Sequence, residues 1–222
     1  ITAGWPGCGY PPCTLPTFTG PDMIDLPEAT LSMAPRTVRP IWLTVEVPDV
    51  EPGVYDMTLT VSDVATGKRV GELHLAVDVD RRRPPAPHDQ AFCPELWQQP
   101  YSVSRYYNVE PWSREHLDLM RPYMQKLARA GQKAVSVILF YGPWGEQSND
   151  KFEPMVATTR LADGSWSFDY KIFDLWVDYM AANGIDANLE CFTMVPWQPQ
   201  YRYTDAATGE TLFLEAKPGS EA

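Results

Sequence analysis

The sequence predicts an α+β multidomain chain, an antiparallel β-sandwich followed by part of a (β/α)8 TIM barrel. In residues 1–87, apolar and polar residues alternate with the period of two that is typical of half-buried strands. Residues 88–222 instead alternate strand-like and helical segments, the order of a parallel α/β fold. A basic, proline-rich segment at 81–87 separates the two patterns and is typical of a stiff linker, so we place the domain boundary after residue 87.

The first part contains three period-2 runs, at 39–47, 54–61 and 69–79. Turn-forming residues separate them, and Gly67 suits the positive φ that a tight turn requires. The runs therefore predict an antiparallel sheet of three strands. The proline-rich residues before Pro35 are expected to form loops or the rest of an incomplete sandwich.

The second part predicts the order β-α-β-hairpin-α-β-hairpin. Its elements are a buried strand at 90–97, a helix capped by Ser113 and ended by Gly131, a strand at 133–141, a hairpin at 155–168, a helix capped by Asp169 and ended by Gly184, a strand at 188–194 and a hairpin at 201–214. Pro122 should kink the first helix or mark a late start. The order favours a TIM barrel, with a doubly wound sheet as the alternative. A full barrel takes about 250 residues, so we expect about half of one, in a chain cut at both ends.

Composition and motifs exclude several function classes. A net charge of −11 argues against nucleic acid or an anionic membrane surface as a partner. No apolar run reaches the roughly 18 residues of a membrane span. The sequence lacks a G-x-G-x-x-G loop, an H-E-x-x-H motif and any Ser-His-Asp constellation, so we expect no cofactor and no catalytic metal. His116, in the first helix, is expected at the surface.

The ends of the three predicted barrel strands carry the candidate site, because TIM-barrel active sites lie there. Each end supplies a tryptophan, and three such rings on one rim would make a cup for a sugar; the alternative is that they cap the barrel core. The candidate substrate-binding residues are Trp97, Gln98, Tyr101, Arg105, Trp144, Gln147, Asp150, Glu190 and Trp197. Glycoside hydrolysis needs two carboxylates about 5–10 Å apart, but the spacing of Glu95, Glu146, Asp150 and Glu190 singles out no pair.

The four cysteines divide into two kinds. Cys8 and Cys13 could close a small disulfide loop in an oxidising compartment or stay reduced, and a zinc site is less favoured because no second pair follows. Cys93 and Cys191 fall on predicted strands and are most simply buried small apolar residues.

Several long blocks resemble glycoside hydrolase family 123-like proteins. Residues 95–113, ELWQQPYSVSRYYNVEPWS, resemble the family segment D-L-W-Q-x-P-(F/Y)-x-x-A-R-Y-Y-x-V-E-P-W-S, with Glu95 in place of the commoner Asp. The strings at 130–133, 163–170 and 191–197 resemble later blocks, and those at 39–42 and 52–55 resemble the preceding β-sandwich. The resemblance covers about residues 36–222.

The resemblance implies an exo-acting, retaining β-N-acetylgalactosaminidase that uses the 2-acetamido group of its substrate as the nucleophile. It implies a glycan partner with a terminal N-acetylhexosamine and an extracytoplasmic location. The catalytic residues of the family are an adjacent Asp-Glu pair, and no such dipeptide occurs in this chain. We therefore assign no catalytic residue, expect the pair beyond residue 222 and expect this piece to be inactive. The alternative is a non-catalytic carbohydrate-binding or cell-surface protein on the same scaffold.

Overall fold

A computed structural model describes residues 30–144, 150, 152–216 and 219. The chain divides into two compact units between Pro84 and Pro85, close to the boundary predicted after residue 87. Within the described residues, no helix is both long and apolar enough to cross a membrane.

The first unit contains an antiparallel hairpin of β1 (Gly53–Ser62) and β2 (Arg69–Val79). At its turn, Asp63 Oδ1 accepts a hydrogen bond of 2.7 Å from the Thr66 backbone N–H, and Gly67 adopts the expected positive φ of 67°. Two predicted strands are thereby confirmed.

The third strand predicted for this unit is wrong, because residues 39–47 form no strand. Pro40 and Pro48 flank the alternating run, and proline cannot donate a ladder hydrogen bond. The described part of this unit holds one two-stranded sheet, so the β-sandwich remains a prediction.

The second unit follows the predicted order of elements from the helix Arg114–Arg129 onward, while the helix Pro100–Tyr107 is an addition and the strand predicted at 90–97 is missing. After a 3-10 turn at Pro87–Asp89, its elements are α1 (Pro100–Tyr107), α2 (Arg114–Arg129), β3 (Ala134–Ile138), β4 (Ala157–Arg160), β5 (Trp166–Asp169), α3 (Lys171–Ala182), β6 (Asn188–Phe192), β7 (Gln200–Asp205) and β8 (Thr211–Glu215). The predicted hairpins are β4–β5 and β7–β8, and they join into one sheet of order β5-β4-β7-β8. β3 and β6 pair in parallel, as a barrel requires, while the complete barrel remains a prediction.

The helices begin and end close to the predicted signals. Ser113 caps α2 by accepting from the His116 backbone N–H, and the helix continues through Pro122 without a break. Before α3, the Asp169 carboxylate accepts a 2.9 Å hydrogen bond from the Lys171 backbone N–H, although Tyr170 occupies the capping position.

The strand predicted at 90–97 is wrong, and side-chain amides explain how this segment nevertheless lies beside β3. The Gln132 side chain accepts from the Leu96 N–H at 2.8 Å, and the Gln98 side chain accepts from the Ser136 N–H at 2.8 Å. Two glutamines thus replace the backbone ladder of a strand. The sequence prediction also missed α1, where Pro100 occupies the first turn, a position that favours proline.

Alternate residues of β3 point to opposite faces. Val135 and Val137 face α2 and α3, whose buried residues form the main core with Met155 and Ile185; they are Met120, Met124, Trp176, Tyr179 and Met180. We call this the helix face. The opposite face of β3 and β6, formed by Ala134, Ser136, Ile138, Glu190 and Phe192, is called the inner face.

Candidate functional site

The candidate site lies on the inner face and at the strand ends beside it. Register pairing sets Ser136 directly beside Glu190 and Ile138 beside Phe192. Two neighbouring parallel strands therefore carry a polar pair followed, two residues later, by an apolar pair. The polar pair is the layer nearer the strand starts, and the apolar pair lies at the carboxyl ends.

Three aromatic rings form a cluster at the strand ends. Trp97 and Trp144 stack with centroids 4.7 Å apart and planes 14° apart, and Phe192 lies 5.1 Å from both rings. The tryptophans therefore cover one another instead of surrounding a sugar as the predicted cup would. Trp97 remains 52% exposed, so it can still offer a ring surface to a ligand. The sequence prediction missed Phe192, which its place at the end of a parallel strand could have indicated.

Trp197 lies near this cluster through its backbone. Its N–H donates a 2.9 Å hydrogen bond to the carbonyl of Pro143, the residue before Trp144. The Trp197 side chain is 67% exposed, and no ring contact among the described residues joins it to the cluster. The structure thus brings two of the three predicted tryptophans into contact and places the third beside them.

Two glutamates adjoin the aromatic cluster. Glu95 Oε1 accepts a 3.0 Å hydrogen bond from the Trp97 indole N–H, and the Glu95 and Glu190 carboxyl groups lie within hydrogen-bonding reach of each other. The hydrogen bond from Trp97 lowers the pKa of Glu95, while desolvation and then the neighbouring Glu95 raise the pKa of Glu190. Two neighbouring carboxylates repel each other, which favours a proton on one of them. The environments favour that proton on Glu190.

Two buried oxygen atoms on the inner face have no hydrogen-bond partner among the described residues. They are Ser136 Oγ, on a side chain that is 1% exposed, and Glu190 Oε2. Native proteins rarely leave such atoms unsatisfied, because each costs about 1–3 kcal/mol. These two oxygens therefore leave unused hydrogen-bonding capacity on the inner face.

Two predicted site residues, Gln98 and Tyr101, use their side chains to bond backbone groups of the same unit. Gln98 is 3% exposed, and its side chain bonds the backbone of Leu96, Ala134 and Ser136. Tyr101 is buried, and its hydroxyl donates to the Glu153 carbonyl at 3.3 Å. Their polar atoms are used within the fold, and a role of these two residues in substrate binding stays a prediction.

Arg105 and Asp150 are joined to each other. Asp150 forms an ion pair with Arg105 and accepts a 2.7 Å hydrogen bond from the Ser102 hydroxyl. Burial alone would raise the pKa of Asp150, but these two donors outweigh it and the pKa is lowered. The Gln99 side chain also donates to the Asp150 carbonyl, at 3.0 Å. This cluster fastens the loop that follows β3 to α1.

Other predicted residues lie outside the described residues or in a different environment. Gln147, Glu146 and the Cys8–Cys13 pair fall outside them. Of the other cysteines, Cys191 is exposed and Cys93 is half-buried, so the prediction that both are buried is wrong.

His116 is fully buried, so its predicted surface position is wrong. Its Nδ1 accepts from the Trp112 N–H at 2.9 Å, and its Nε2 donates to the Pro100 carbonyl, also at 2.9 Å. Burial lowers the pKa of this imidazole. The ring is therefore a neutral bridge between α2 and the start of α1.

Two cavities among the described residues of this unit have linings that do not include the two glutamates. One of 240 Å³ is lined largely by apolar side chains at the ends of β3 and the β4–β5 hairpin, including Leu139, Phe140 and Phe168. It contains no charged side chain and so offers no acid or base. Within the described part of the chain, no group of three or more His, Cys, Asp or Glu side chains could hold a metal ion.

An exposed tryptophan beside carboxyl groups, at the ends of parallel strands, is an arrangement suited to binding carbohydrate. Comparison with known proteins identifies the family. A model described as the glycoside hydrolase 123 catalytic domain matches residues 97–222, and one for the glycoside hydrolase 123 N-terminal domain matches residues 2–63. The first match covers more than half of the chain, which therefore belongs to glycoside hydrolase family 123. The second extends the resemblance to residues before 36.

A solved structure shares the fold. It is a family 123 glycoside hydrolase from Clostridium perfringens, described in connection with glycolipid glycan hydrolysis, with 24% identity and a TM-score of 0.72. The match covers 78% of this chain and 31% of that protein, so the chain spans about a third of the length of its solved relative. No functionally curated protein matches significantly.

Proposed function

We propose that this chain is part of an exo-acting, retaining β-N-acetylgalactosaminidase-type glycoside hydrolase. Membership of family 123 is the observation that carries the proposal. The juxtaposition of Trp97 with Glu95 and Glu190 supports it, because an aromatic ring and carboxyl groups together suit a sugar ring and its hydroxyls.

The proposed reaction is substrate-assisted. The carbonyl oxygen of the 2-acetamido group attacks the anomeric carbon while the glycosidic oxygen leaves with a proton from a general acid. Water then opens the oxazolinium-like intermediate, and the same group acts as the base. One carboxylate must orient the acetamido group and a neighbouring one must transfer the proton. The chain contains no adjacent Asp-Glu pair, so we assign both roles to residues beyond position 222.

The contribution of this chain is then recognition. The exposed surface of Trp97 would support one face of the sugar, and the glutamates would contact its edge. The solved relative acts on glycolipid glycans according to its description, which supports a cell-surface glycan and an extracytoplasmic location for this protein as well.

Hydrolysis of an aryl β-N-acetylgalactosaminide tests the proposal. The full-length protein should release the aryl alcohol and give the β-anomer of N-acetylgalactosamine first, as proton NMR of the fresh product would show. The isolated residues 1–222 should release none. An inverted first product, or turnover by residues 1–222, would contradict the proposed mechanism or the placement of the catalytic pair.

A non-catalytic carbohydrate-binding protein is the second candidate, favoured by the absence of an Asp-Glu dipeptide from these 222 residues. It predicts that the full-length protein binds N-acetylgalactosamine without releasing aryl alcohol. Sequence beyond residue 222 that lacks an adjacent acidic pair at a strand end would favour this candidate over the enzyme.

A further inference from the structure

We propose that Ser136, Glu190 and Glu95 form a hydroxyl-binding subsite that selects an uncharged sugar at the aromatic cluster. The inference rests on the proposed function and adds to it the residues that choose the substrate and the class of sugar that they accept.

The first argument is placement. Ser136 and Glu190 are register partners on neighbouring parallel strands, so their side chains leave the sheet on the same face. Phe192 follows Glu190 by two residues on that face and contacts the Trp97 ring at 5.1 Å. Along the strands, the Ser136–Glu190 pair therefore comes one side-chain layer before the layer that carries Phe192 of the aromatic cluster.

The second argument is unsatisfied hydrogen-bonding capacity. Ser136 Oγ and Glu190 Oε2 are both buried and unpartnered among the described residues. The serine hydroxyl can donate or accept, and the glutamate oxygen can accept. A sugar hydroxyl, which also donates and accepts, matches the hydrogen-bonding needs of both atoms. An apolar group at this point would leave both unsatisfied.

The third argument is the link between the subsite and the stacking surface. Trp97 donates its indole hydrogen to Glu95, and Glu95 contacts Glu190. The ring that would support a sugar face is thus held by the same carboxyl pair that would bind the sugar edge. A ligand that stacks on Trp97 brings its hydroxyls toward this pair.

The fourth argument is charge. The Arg105–Asp150 ion pair is separate from the carboxyl pair, and no described basic side chain pairs with Glu95 or Glu190. At least one of the two carries a negative charge, which repels a carboxylate or a sulfate on the ligand. The subsite therefore accepts neutral hexosamines and rejects anionic ones.

Kinetics with deoxy substrates test this subsite in the full-length protein. The Glu190→Ala variant should lose about tenfold to one-hundredfold in kcat/KM on the aryl N-acetylgalactosaminide, as expected for a hydrogen bond to a carboxyl group. Against the 3-, 4- and 6-deoxy analogues, the loss should disappear for the one that lacks the recognised hydroxyl. Glu190→Gln should lose less, and the exposed Glu210→Gln is the matched control with unchanged kinetics.

If Glu190 has only a structural role, the losses in kcat/KM follow a different pattern. Equal losses on all deoxy analogues, or no loss in Glu190→Ala, would overturn the proposal. If the wild-type protein releases no aryl alcohol, the proposed function fails while the subsite is still tested by binding. Quenching of tryptophan fluorescence by methyl N-acetylgalactosaminide should then need about tenfold more ligand in Glu190→Ala. An unchanged affinity, or preference for the 6-sulfated sugar, would refute the subsite.

Discussion

The two faces of the β3–β6 pair differ in how fully their groups are packed and hydrogen-bonded within the described fold. On the helix face, Val135 and Val137 contact the side chains of α2 and α3, and Trp176 donates its indole hydrogen to the Ser136 carbonyl at 3.0 Å. On the inner face, Ser136 and Glu190 hold buried oxygens that have no hydrogen-bond partner among the described residues. Alternate residues of one five-residue strand therefore contribute to the core, and we propose that the others contribute to recognition.

Two tryptophan variants test this difference between the faces. Of the changes proposed, Trp176→Ala should have the largest effect on stability. Trp176 is 0% exposed, and Trp176→Ala should lower the free energy of unfolding by about 3–5 kcal/mol, since it leaves a cavity and an unpaired carbonyl. Urea unfolding followed by circular dichroism measures the change.

Trp97→Ala is the matched control because Trp97 is half exposed. It should cost much less stability but weaken binding of methyl N-acetylgalactosaminide roughly tenfold, the range for a lost aromatic contact. Equal destabilisation by the two variants would show that the aromatic cluster belongs to the core, the alternative reading of the strand-end tryptophans.

Titration of His116 should have a smaller effect on the free energy of unfolding, and this effect depends on pH. Its folded pKa lies below the ordinary value of 6.5 because the ring is buried, so the neutral ring stabilises the fold above that pH. As pH falls below 6.5, the unfolded chain takes up a proton that the buried ring resists, so stability should fall by at most about 1.4 kcal/mol per pH unit until the folded pKa is reached. The unfolding free energy between pH 7.5 and 5 measures this.

His116→Gln is the control for that titration. It keeps a polar side chain at the position but cannot take up a proton in this range. The variant should be less stable at pH 7.5 and show a flatter pH dependence than the wild type. Identical slopes for the two proteins would mean that His116 is not the group responsible.

Local signals predicted much of the second unit. Apolar runs with turn or cap residues at their ends identified α2, β3, α3 and both hairpins, because each of those signals acts within a few residues. His116 was misplaced although it lies four residues before Met120, on the same side of the helix. That spacing already indicated a buried position.

The sequence could not predict contacts between distant segments. The amides of Gln98 and Gln132 replace a strand ladder, and the Trp97–Trp144 stack joins residues from separate loops. Carboxylates far apart in the chain also gave no pairing signal, so the meeting of Glu95 and Glu190 required the fold. The joining of the two hairpins through β4 and β7 is a further contact of this kind.

A crystal structure of the full-length protein with N-acetylgalactosamine is the most direct test of the central claim, that the inner face and its aromatic cluster recognise a sugar. We predict the pyranose on the exposed surface of Trp97, with a hydroxyl about 2.5–3.0 Å from the Glu190 carboxyl group. A sugar bound elsewhere, with Ser136 and Glu190 satisfied by other residues of the protein, would contradict it.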